Sequence, residues 1–151
     1  MNKIDELIKI ADIHAEKINL AINRIKNIFP LNAKKIENFD ESDMLYNELL
    51  ISRFAKLQDY IGNVMIDEFL KITQDYSSSM TMIDKINKLE KLRIINSKEI
   101  WQDMRDARNH VSHEYPNKPE LTAKYLNQIF NLAPFLIEIL ENVKSAISTI
   151  R

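Results

Sequence analysis

Apolar residues return at alternating steps of four and three along most of this chain, the spacing that lines side chains up on one face of an α-helix. Between residues 3 and 29 the stripe is Ile4, Ile8, Ala11, Ala15, Ile18, Ile22, Ile25 and Phe29, widened by Leu7, Ile10, Ile13 and Leu20. A face that broad suits a helical bundle better than a two-stranded coil. Asn2 is placed to cap the start, and Pro30 stops the end. Residues 30 to 42 read as a connection, acidic and without a stripe, in which Asp40 or Ser42 caps the next helix.

A second long helix is expected over 43 to 74. Leu50, Phe54, Leu57, Ile61 and Val64 keep the stepping, and Met65, Phe69 and Ile72 continue it one position over. Gly62 falls inside this pattern and suggests a close helix–helix crossing. Tyr76-Ser77-Ser78-Ser79 breaks the pattern, and a shorter helix runs from about Thr81, its cap, to Leu92, with Met82, Ile86 and Leu89 on one side. Asn96-Ser97 starts another helix that turns Trp101, Met104, Ala107 and Val111 inward and runs to about Tyr115. Pro116 and Pro119 bracket a turn, and a last helix reaches Ile150, with Pro134 expected to kink it. The fold class is therefore all-α: a single domain over 1 to 151, an up-and-down antiparallel bundle of three long helices, one medium and one short.

Composition narrows the chemistry. A single glycine leaves no material for a glycine-rich phosphate loop or a dinucleotide fingerprint. The absence of cysteine excludes disulfides, thiolate metal sites and a thiol nucleophile. No stretch reads as a signal peptide or a membrane span, so a cytoplasmic protein with no membrane contact is expected. The formal net charge of -1 gives no global basic field, so any nucleic-acid site must be local.

The local concentration of chemistry is Arg108-Asn109-His110-Val111-Ser112-His113-Glu114-Tyr115. At about 100° per residue, Arg105, Arg108, Ser112 and Tyr115 fall near one line and Asn109 and His113 on the next, making one polar patch. Arg108 and His113 stand roughly 140° apart around an ideal helix, so they meet only on a common ligand, where the helix frays, or where a second copy faces the first. As composition alone, the patch fits a solvated helix face, and His14 and His110 fit structural roles.

The pattern is more specific than the composition. Arg-x4-His-x-Tyr followed by proline, late in an all-helical chain of this length, resembles the HEPN superfamily and, within it, the HepT toxins of MNT–HEPN toxin–antitoxin pairs. A second stretch, Ser52-Arg53-Phe54-Ala55-Lys56-Leu57-Gln58-Asp59, is similar to the Arg-Phe-x-Lys-Leu-Gln-Asp run in the second helix of many such proteins. The resemblance implies a metal-independent endoribonuclease without cofactors, working as a homodimer whose motif helices build one composite site. It implies catalytic roles for Arg108 and His113, supporting roles for Asn109, Arg105 and Ser112, and Tyr115 as the acceptor of AMP from a cognate MNT-type nucleotidyltransferase antitoxin. Arg53 either faces the same groove or pairs with an acid such as Asp59; the pair is the expectation. The alternative readings are a non-catalytic nucleotidyltransferase-binding subunit and a helical adaptor that only self-associates.

Overall fold

The computed structural model describes residues 2 to 111 and 117 to 150, without the side chain of Val111. Among them the regular elements are all helical: α1 (Lys3–Ile25), α2 (Ala33–Glu37), α3 (Glu41–Tyr60), a wide π turn (Ile61–Met65), α4 (Ile66–Ile72), α5 (Met82–Lys91), α6 (Lys98–Val111) and α7 (Pro119–Ile150).

The starts of these helices follow from local side-chain chemistry. Asn2 accepts from the Asp5 amide at 3.1 Å. Asp40 and Asp43 form a reciprocal capping box at α3, and Thr81 and Asp84 form another at α5. The Ser97 hydroxyl accepts from the Ile100 amide at 3.2 Å and opens α6. The ends use a device that sequence signals did not announce. Gln74 and Arg93 sit in the left-handed region, at φ 63° and 60°. The next amides close back on the helices, Asp75 N–H to the Leu70 carbonyl and Ile94 N–H to the Leu89 carbonyl, which is the Schellman arrangement.

Three expectations about the extent of the helices need correction. The first helix stops at Ile25 and continues as a 3-10 turn over Lys26–Ile28. The stretch from 30 to 42 is not merely a connection: it holds α2, capped by Asn32 and tied back by the Lys35 ammonium to the Ile28 and Pro30 carbonyls. The second long helix is not one α-helix, because the π turn divides it. One extra residue per turn re-phases the face behind it. That is why the apolar stripe moves one position over, so that Met65, Phe69 and the neighbouring Leu70 are buried beyond a first half carried by Leu50, Phe54 and Leu57. The last helix runs on through Pro134, which lies on its exposed side.

α1 packs most extensively on α3, and α7 lies against α6, α3 and α2. Contacts run in opposite order along α1 and α3–α4, from Lys3 with Glu68, through His14 with Arg53, to Arg24 over the Tyr46 ring, so those helices are antiparallel. The core is aliphatic and aromatic, centred on Ile18, Phe54, Leu57, Phe69, Met104, Ile129 and Leu136. A satellite of Leu31, Ala123 and Leu126 seats the α1–α2 connection on α7. There the Asn127 side chain accepts from the Leu31 amide at 2.7 Å and donates to the Leu31 carbonyl at 3.0 Å. Ile10, Ile13 and Leu20, expected to widen the core face of α1, are instead 44%, 47% and 41% exposed. Among the described residues no helix is long and apolar enough to cross a membrane.

Candidate functional site

α6 carries two flanks around its buried edge of Trp101, Met104 and Ala107. On one flank stand Arg105 and Arg108, one turn apart. On the other stand Asp103, Asp106 and His110. The core residues between them fix this division, because they leave no other orientation for the helix.

The arginine flank faces α3 across a groove of about 410 Å³, lined by Gln58, Asp59, Gly62, Asn63, Trp101, Arg105 and Arg108, with Met82 at its edge. Arg108 Nη2 donates to Asp59 Oδ2, so a residue of each sequence stretch singled out above meets across the two helices. About a third of the Arg108 side chain stays open, while its Nε is buried with no acceptor among the described residues. Gln58 is buried at the groove's back wall. The helices come close because Gly62 has no Cβ: an added one would stand 3.0 Å from Trp101 Cζ2. The crossing expected at Gly62 is therefore real, and it lies one turn from the ion pair.

The pairing expected for Arg53 is corrected. Asp59 engages Arg108, and the Arg53 guanidinium instead reaches His14 Nδ1 at 3.1 Å, the His14 ring standing edge-on to Tyr60. An arginine donor needs a lone pair, so the proton of neutral His14 sits on Nε2. Burial, and after it the positive charges of Arg53 and Lys56, hold the imidazole below its ordinary value.

On the other flank, His110 Nδ1 stands 2.6 Å from the Asp106 carbonyl; a carbonyl only accepts, so Nδ1 carries the proton and donates it. The His110 ring stacks on Tyr125 of α7 at 4.5 Å, with the Lys124 ammonium over the same tyrosine. Asn109 is exposed between the flanks. Ser112, His113 and Tyr115 lie outside the described residues, and so does any meeting of theirs with Arg108. Among the described residues no group of His, Asp and Glu is gathered as metal ligands.

Chemically, the groove offers two guanidinium groups, one held by a carboxylate, beside an apolar wall. Guanidinium donors placed in this way can receive an anion. Sequence reasoning found its arginines and passed over Asp59 as their partner. A pair separated by 49 positions leaves no periodic signal, though Asp59 stood in the stretch already singled out. No family model matches the chain, and no curated protein or solved structure is detectably similar to it.

Proposed function

We propose that the chain is a HepT-like toxin of a type VII-like toxin–antitoxin pair, an up-and-down HEPN-like bundle that acts as a metal-independent endoribonuclease. The observation that supports this best is the Arg108–Asp59 contact. It joins the two stretches that carry the resemblance and seats Arg105 and Arg108 in one groove.

In this reading the RNA 2′-oxygen attacks its own phosphorus. The 2′-O–P bond forms and the P–O5′ bond breaks, leaving a 2′,3′-cyclic phosphate and a free 5′-hydroxyl. One proton leaves the 2′-hydroxyl and one reaches O5′. His113 serves these transfers, because an imidazole titrates near neutrality. Arg108 stabilises the charge gathering on the phosphate oxygens, Arg105 and Ser112 bind the neighbouring backbone, and Asn109 orients histidine or phosphate. Two copies facing across α6 supply Arg108 and His113 together, which resolves their angular separation on one helix. AMP added to Tyr115 by the cognate nucleotidyltransferase attaches a bulky anion to the motif and silences the toxin.

Purified protein is expected to cleave RNA in the presence of chelator, and Arg108→Ala and His113→Ala each to abolish cleavage and growth inhibition. Undiminished cleavage by His113→Ala removes that residue from the mechanism. A monomer by light scattering at micromolar concentration removes the composite site.

The second reading is a non-catalytic subunit that docks a nucleotidyltransferase. It is favoured by the open furrow between α5 and α6, where Ile83 is 73% exposed beside Met82, Ile86 and Trp101. It requires a stable complex with the partner and no RNA cleavage at any protein concentration.

A further inference from the structure

The geometry points to Asp59 as a positioning residue for Arg108, a role that rests on the ribonuclease reading above. Arg108 is in the last turn of the described part of α6, and helical side chains at such a position tilt back toward the start of their helix. A free arginine there would sample many rotamers and lose that freedom when fixed on a phosphate. Asp59 holds it before the ligand arrives: Oδ2 accepts from Nη2, the Nε edge is buried, and the remaining third of the side chain faces the groove.

The backbone that carries the carboxylate is seated against α6: at Gly62, one turn beyond Asp59, an added Cβ would stand 3.0 Å from the buried Trp101. The π turn begins two residues after Asp59, so the wide turn starts where the two helices touch. Asp59 thus aims the guanidinium, and its negative charge also weakens the groove's attraction for phosphate. These two effects oppose each other and can be separated. An aspartate that only bound RNA through water would act on affinity. One that aims Arg108 acts on the chemical step, and its removal leaves RNA binding equal or tighter.

The experiment compares Asp59→Ala and Asp59→Asn with the parent protein on a single-stranded RNA, reading kcat and KM separately. Asparagine keeps a carbonyl oxygen for Nη2 and discards the charge. The expectation is that Asp59→Ala lowers kcat by about 10- to 100-fold, as misplacement of a catalytic group by about 1 Å does, with KM unchanged or lower. Asp59→Asn restores most of kcat. If Asp59→Ala keeps kcat within about twofold, or if asparagine fails as badly as alanine in a folded protein, the role is overturned. The nitrogen-15 relaxation of the Arg108 Nε–H group gives a readout independent of turnover: ordered in the parent and in Asp59→Asn, mobile in Asp59→Ala. If the parent cleaves no RNA, the ribonuclease reading fails by itself, and an Arg108 equally ordered in all three proteins overturns the positioning as well.

Discussion

Gly62→Ala tests the crossing on which the groove depends. The new methyl carbon would lie 3.0 Å from Trp101 Cζ2 and 3.5 Å from Cη2. Carbon atoms rest at about 3.5–4.0 Å, so the indole or the helix must retreat by about half an ångström or more. Two terms oppose each other. Replacing glycine inside a helix gains up to about 1 kcal/mol of propensity, and overpacking a filled site costs about 1–3 kcal/mol. Trp101 is 3% exposed and wedged between α6 and α3, so the packing term is expected to win by about 1 kcal/mol. In a chain of this size that lowers Tm by roughly 2–4 °C. Thermal denaturation followed by circular dichroism reads it directly. The decisive control is the double-mutant cycle with Trp101→Leu, which removes the atoms in question. In that background Gly62→Ala should be neutral or stabilising, because only propensity is left. Equal destabilisation in both backgrounds would refute the claim that the Gly62–Trp101 contact sets the helix spacing.

Asn127→Ala should destabilise by about 2–3 kcal/mol, since it strands both the part-buried amide and the carbonyl of Leu31. Chemical denaturation should show a lower midpoint with an unchanged slope, and a change below about 0.5 kcal/mol would mean water replaces the amide. His14 should make stability depend on pH. Its imidazole is held below the ordinary value of 6.5 in the folded chain, so the unfolded chain binds more protons as pH falls. Its contribution is complete above that value and is lost as pH drops from there through the depressed folded value. Comparing Tm between pH 7.5 and 5 in the parent and in His14→Gln checks this, the variant losing less, and parallel curves would dismiss His14 as the source.

What was legible in the sequence is what depends on near neighbours. Asn2, Asp40, Thr81 and Ser97 all cap helices through amides three positions on, within reach of local pattern reading. The inward set on α6 comes from a single period. The helix ends at Gln74 and Arg93 were silent, because left-handed closure is normally signalled by glycine and this chain spends its one glycine elsewhere. α2 was silent because five residues cannot show a stripe; it persists through Asn32, Lys35 and packing on α7. The candidate site divides the same way. Arg105 and Arg108 share a flank by spacing alone, whereas the choice of Asp59 between Arg53 and Arg108 is made by where α3 and α6 cross.

The π turn also sets how this chain tolerates length change. Because Ile61–Met65 holds one residue more than the ladder on either side requires, it is the place where a residue can be removed while helical hydrogen bonding stays intact. Such a deletion would turn everything downstream by about 100°, carrying Phe69 out of the core and bringing Asp67 and Lys71 into the buried places of Ile66 and Leu70. A gap opened here when the chain is aligned with another therefore marks a rotated helix, and residues beyond it should be compared by facing, not by count.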